Sequence, residues 1–208
     1  LSNEKKNLIP HLFNSASGLN DFKNLYVEQF IKSLEHVKKL DLNFFYHLIL
    51  EVHQNDGHIF FCGNGGSAAN ANHFSCGLSY IVDNFKKPIR STSLSADSHL
   101  VTSLANDYGY DQIFKKQLEV HGRSNDVLVC FSVSGNSKNI LEAARYAKSK
   151  GIKVFAFTGH DGGELMTISD SSIHISHDDC LFGFTEDIHM IIGHLTCYYL
   201  REYFSKQF

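Results

Sequence analysis

Two short segments concentrate the residues able to hold an anion. In Phe131-Ser132-Val133-Ser134-Gly135-Asn136-Ser137, three hydroxyls and a glycine lie between the apolar run DVLVC and the helix-like run NILEAARYAKSK. Hydroxyls and free N–H groups at a helix start donate to phosphate oxygens, and the helix dipole favours negative charge there. Ser137 by itself reads as an ordinary N-cap, but Ser132 and Ser134 have no capping role to fill. The segment lacks the GxxxxGK[ST] spacing and its lysine, which disfavours a nucleotide triphosphatase, and no nucleotide cofactor is expected. The second segment, Cys62-Gly63-Asn64-Gly65-Gly66-Ser67-Ala68-Ala69, also leaves a strand-like run and opens a helix. Its glycines permit backbone conformations closed to other residues and let N–H groups face an anion or sugar hydroxyls. Taken alone, this second pattern is equally compatible with a tight turn and close helix packing.

The elements that must position these turns follow from periodicity. Leu25, Phe30, Leu34 and Val37, then Phe44, Phe45, Leu48 and Val52, carry helical spacing, so two N-terminal helices are predicted over 20–55. After the turn signal Asn55-Asp56-Gly57, HIFFCG reads as a short buried strand. Further strands are predicted near 89–94, 126–131, 152–157 and 172–176, separated by helices near 67–82, 98–119, 137–150 and 163–168. A last helix is predicted from Thr185 to Phe204, with Glu186 and Asp187 in its first turn complementing the dipole. Apolar strands alternating with helices imply a parallel sheet covered on both faces. The expected fold is therefore α/β: a doubly wound, flavodoxin-like five-stranded parallel sheet flanked by helices. One domain is expected over 1–208, with an N-terminal helical segment (1–56) and an α/β core (57–208). In such sheets ligands sit beyond the carboxyl ends of the strands, where both Ser/Gly turns fall.

Composition narrows the function. A net charge of −3 gives no basic stripe for nucleic acid, and no direct nucleic-acid contact is expected. Five cysteines, Cys62, Cys76, Cys130, Cys180 and Cys197, are odd in number and without close CxxC pairing, which argues against a disulfide framework or a zinc ribbon. A reducing cytoplasm fits this usage. No apolar run approaches the roughly 18 residues that span a bilayer, so no membrane association is expected.

GNGGSAANANHF at 63–74 and SVSGNS at 132–137, with SLSADSHL and ANDYGYDQIF between them, resemble the sugar isomerase (SIS) domain family and, within it, the phosphoheptose isomerases. The resemblance covers about residues 55–200. It implies a sugar-phosphate ligand, an aldose–ketose isomerisation like that of sedoheptulose 7-phosphate, and a homotetramer with sites at subunit boundaries. By the same resemblance Ser132, Ser134 and Ser137 contact phosphate, while Asn64, Gly65, Gly66, Ser67 and Asp97 face the sugar. Family members often carry Thr where this chain has Val133, and the lost hydroxyl is expected to weaken the phosphate grip.

The family pattern also places a glutamate four residues after His73, and here that position is Gly77. Its Q-x-x-H-x-x-x-x-H pattern on the last helix reads Glu186, His189 and His194. Some members bind zinc through such residues, and His73, Glu186 and His194 are the candidate ligands that remain. Glu186 and His194 lie about 80° apart around a helix, which suggests a shared pocket with Glu186 as base and His194 as acid. The plainer readings are a first-turn acid stabilising the helix for Glu186 and a core or interface histidine for His189. Because Gly77 cannot take a proton, a noncatalytic phosphosugar-binding or adaptor protein is the alternative. The DnaA initiator-associating protein resembles these isomerases while lacking the same glutamate. An isomerase for a different sugar phosphate is the third reading.

Overall fold

The computed structural model describes residues 8–81, 87–175 and 181–206. Five strands, β1 (Ile59–Gly63), β2 (Ser91–Ser93), β3 (Val127–Ser132), β4 (Lys153–Gly159) and β5 (Ser171–Ile175), form one sheet in the order β2-β1-β3-β4-β5. Every neighbouring pair is parallel. This is the doubly wound, flavodoxin-like order expected from the sequence.

The apolar strands are explained by cover on both faces. All six residues of β3 are buried, and they alternate between two cores with the period of two that a strand imposes. Val127, Val129 and Phe131 join Phe45, Phe61, Phe74, Phe157 and Phe184 on one side. Leu128 and Cys130 join Phe60, Phe114, Leu141 and Ala144 on the other. The first core is aromatic: Phe131 stacks on Phe157 with ring centroids 4.6 Å apart, and Phe45 meets Phe155 at 4.4 Å. Such pairs add roughly 0.5–1.5 kcal/mol each beyond the area they bury.

Helices α3 (Asn43–Gln54), α4 (Gly65–Ser79) and α9 (Phe182–Ser205) cover the aromatic side. On the opposite face lie α5 (Ser98–Tyr108), α6 (Ile113–His121) and α7 (Lys138–Ser149), and α8 (Gly163–Ile168) links β4 to β5.

Several elements differ from their expected form. The N-terminal segment holds three helices rather than two, because α1 (Leu8–Ser15) precedes α2 (Leu19–Val37) and is separated from it at Gly18. The single helix expected over 98–119 is broken at Gly109, whose φ of 92° lies outside helical space; a short 3-10 turn, Tyr110–Gln112, then leads into α6. The last helix begins at Phe182, one turn earlier than expected. β2 shrinks to three residues at the sheet edge, where only β1 pairs with it. The predicted ends at residues 82 and 176 lie outside the described residues, as does Cys180.

Candidate functional site

The two Ser/Gly turns fall where their sequence context put them, at the carboxyl ends of adjacent strands. β1 runs directly into α4 through Asn64, and β3 leads through residues 133–137 into α7. In the second turn Ser132 is buried, and its hydroxyl has no hydrogen-bond partner among the described residues. Ser137 occupies the N-cap position of α7 with extended backbone, yet its side chain makes no capping bond. The ordinary N-cap role is therefore not where its hydroxyl is used. Ser134 is half-buried, and its Oγ accepts only from Asn136 N at 3.3 Å. A buried hydroxyl without a partner costs on the order of 1–3 kcal/mol, so this turn gains most when an acceptor-rich ligand reaches it.

The turn is braced from behind. Gly135 adopts φ of 64°, and an added Cβ there would run into the backbone of Gly162. Leu165 N donates to Gly135 O at 2.9 Å and Glu164 N to Asn136 Oδ1 at 3.0 Å, which ties the turn to the start of α8. Val133 points away from this surface: it is buried beside Gly159, and Gly159 N donates to its carbonyl at 3.0 Å. In this chain, position 133 serves packing.

The first turn is tied to the second by a reciprocal amide pair. Asn64 Nδ2 donates to Asn139 Oδ1, and Asn139 Nδ2 donates to Asn64 Oδ1, both at 2.8 Å. Tyr110, on the 3-10 turn after the Gly109 break, donates its hydroxyl to Asn64 Oδ1 at 2.9 Å. Asn64 thus keeps one amide hydrogen for a ligand. Neither Asn139 nor Tyr110 stood out in the sequence, since an Asn at a helix start and a Tyr after Gly have common structural explanations. Asp97 caps α5, accepting from Leu100 N at 3.0 Å.

Gly65 takes φ of 55° and a side chain there would meet open space, whereas Gly66 lies directly beneath the carboxylate of Glu186. Ser67, buried at the start of α4, lies beside that carboxylate, and its N–H and hydroxyl favour the charged form. Burial pushes the Glu186 carboxyl above the usual carboxylate range, helped by nearby Asp187, while the Ser67 donors pull the other way. The anion-favouring start of α4 is therefore occupied by a side chain of the same protein.

Helices α4 and α9 pack closely and run in the same direction. Asn70 Nδ2 donates to Glu186 O at 3.0 Å, Gly193 lies against Phe74, and His73 and His194 meet with their Nε2 atoms 2.7 Å apart. Within the chain the Glu186 carboxylate lies over Gly66, while His194 meets His73. Eight residues of helix rise about 12 Å, so a similar angular position leaves the two groups beside different parts of α4. The residues expected to hold a metal are distributed in the same way. Two imidazoles at hydrogen-bonding distance stand apart from a carboxylate beside Ser67, and no group of three His, Cys, Asp or Glu side chains suited to a metal exists among the described residues.

His189 belongs to the core. It is 1% exposed against Phe131 and Phe157, its Nε2 lies 3.4 Å from Thr158 O, and its Nδ1 has no partner among the described residues. At Gly77, where the carboxylate was expected, an added Cβ would approach Cys197 Sγ to 2.8 Å. The thiol occupies the space beside the missing side chain, and burial pushes its pKa up to about 12.

A doubly wound α/β domain with two Ser/Gly turns at neighbouring strand ends is a scaffold for an anionic small molecule. Residues 25–159 match the SIS domain model, and the chain belongs to the SIS domain family. It is 38% identical over 161 residues to the phosphoheptose isomerase of Helicobacter pylori (strain Shi470), covering 77% of this chain and 83% of that protein. A solved phosphoheptose isomerase from Neisseria gonorrhoeae superposes with a TM-score of 0.79 at 32% identity, over 86% of this chain and 97% of that one. One from Francisella tularensis gives 0.80 at 29% identity, over 88% and 97%. Among the described residues no helix is long and apolar enough to cross a membrane.

Proposed function

We propose that the chain binds a phosphorylated sugar with its phosphate at the Ser132–Ser137 turn and its carbonyl end toward the Asn64–Ser67 turn, and interconverts the aldose and ketose forms. The observation that carries this reading is the buried, unpartnered Ser132 hydroxyl at a turn whose other hydroxyls are uncommitted to capping. The phosphoheptose isomerases among its relatives make sedoheptulose 7-phosphate the first substrate to try.

In the proposed reaction Glu186 is the base. A carboxyl held above its usual range is better matched to taking a proton near neutral pH. It removes the proton from the hydroxyl-bearing carbon, an enediol forms, and the proton returns to the neighbouring carbon while a hydroxyl proton moves between the two oxygens. No step of this reaction is assigned to a metal. A homotetramer acting in the cytoplasm is part of the proposal. Self-association is supported by apolar side chains left open on the helices, such as Phe13 at 70%, Leu19 at 82% and Phe44 at 62% exposure.

The test is turnover of a panel of sugar phosphates, sedoheptulose 7-phosphate first, with and without added zinc, alongside Glu186→Gln. Turnover by the parent chain and its loss in the variant are expected, with binding retained. Full turnover by Glu186→Gln removes Glu186 from the mechanism. A second reading, a phosphosugar-binding adaptor without turnover, is favoured by the thiol of Cys197 beside Gly77. It predicts saturable binding, no turnover of any panel member, and a protein partner recovered by pull-down.

A further inference from the structure

The end of the sheet opposite the two Ser/Gly turns carries a cleft of about 550 Å³, a size in the range of small-molecule sites. It is framed by the residues just before three strands, His58 before β1, Arg90 before β2 and Asp126 before β3, together with His121 at the end of α6 and Arg123 beyond it. Strands of this length hold it roughly 16 Å from the Ser/Gly turns.

The carboxylates around the cleft are already committed. Asp126 accepts from the backbone N–H of His58 at 2.8 Å and of Arg123 at 2.7 Å, so it pins the loops together. Asp56 at the rim is paired with Lys87 at 2.9 Å. The guanidinium groups retain donors. Arg90 gives one N–H to the Asp56 carbonyl at 3.0 Å, and the Arg123 guanidinium makes no ion pair or side-chain hydrogen bond among the described residues. Between them, half-buried His58 stacks on Phe60 with ring centroids 4.4 Å apart, its Nε2 lying 2.8 Å from Thr92 Oγ1. Burial holds the His58 pKa below the ordinary histidine value, Arg90 and His121 add to the fall, and Asp126 opposes it. The cleft therefore holds two guanidinium groups with unused donors beside carboxylates already engaged by backbone N–H groups and Lys87.

We propose that this cleft is a second anion site, distinct from the Ser/Gly turns, which takes a phosphate monoester with its phosphate between Arg90 and Arg123 and its organic part toward Phe60 and Val120. The planar guanidinium fork matches two phosphate oxygens at once, and the lining around Phe60 and Val120 leaves room for a small body beside it. The inference stands apart from the proposed isomerisation and uses none of its residues.

The test titrates inorganic phosphate, then methyl phosphate, at matched ionic strength. The ring signals of His58 and His121 are followed by NMR in a chain carrying Ser132→Ala, Ser134→Ala and Ser137→Ala, which silences the other turn. A saturable change at His58 with an upward shift of its pKa is expected, and adding Arg123→Gln is expected to weaken the affinity about tenfold or more. A His58 response that chloride reproduces at the same ionic strength, or one that Arg123→Gln leaves unchanged, overturns the proposal. Should the triple variant fail to fold, Arg123→Gln is made in the unaltered chain. Loss of the His58 response with the Ser134 amide response retained supports the second site, and parallel loss or retention of both overturns it.

Discussion

Lowering the pH from 7 to 5 is expected to remove about 2 kcal/mol of folding stability through one side chain, His189. The imidazole is 1% exposed, rests against Phe131 and Phe157, and faces one backbone carbonyl at 3.4 Å. Burial lowers its pKa from 6.5 to about 4, with His174 adding to the fall and the Thr158 carbonyl opposing it. The folded chain therefore takes this proton less readily than the unfolded one. The associated stability is whole above pH 6.5, declines as the pH falls, and is gone below about 4. Linkage with those two values gives about 2 kcal/mol lost by pH 5 and about 3 kcal/mol in total. The assay is urea denaturation of the parent chain and of His189→Gln at pH 5, 6 and 7. The variant is less stable throughout, because it places an amide among aromatic rings. The informative quantity is the gap between the two proteins, which should narrow by about 2 kcal/mol from pH 7 to pH 5. A gap that stays constant refutes the reasoning, since the neutral buried imidazole would then not be the group that titrates.

Gly77→Ala is expected to destabilise the chain by about 1 kcal/mol in thermal denaturation, despite the helix propensity of Ala, because its Cβ meets the Cys197 thiol at 2.8 Å. In a Cys197→Ala background the same change should become stabilising, and additive effects in that cycle would refute the contact. Asn139→Leu should cost about 1–3 kcal/mol, by stranding the Asn64 amide, and should weaken sugar-phosphate binding by calorimetry. Tyr110→Phe, which removes one bond at an exposed ring, should cost less than about 1.5 kcal/mol.

Much of the fold was legible because local chemistry and tertiary environment agree. The IFFCG and VLVCFS runs are apolar throughout and are buried throughout, as a sheet covered on both faces demands. Glycine and serine mark both turns, because close backbone approach and free donors at a helix start require those residue types. The break at Gly109 was less legible, since apolar spacing continues across it and only the backbone angle shows that the helix stops. The Asn64–Asn139 pair joins residues 75 positions apart, and polar contacts at that separation leave no periodicity to read.

The sequence by itself determined the order of elements, the parallel sheet and the place of the Ser132–Ser137 turn, because each follows from neighbours along the chain. Tertiary structure alone decided which groups meet. It set Glu186 over Gly66 and Ser67 rather than beside His194, paired His194 with His73, and placed the Cys197 thiol against Gly77. The physical reason is the packing of α4 along α9. Helical periodicity fixes the direction in which a side chain leaves its own helix, but only the axial register of two packed helices fixes what it touches.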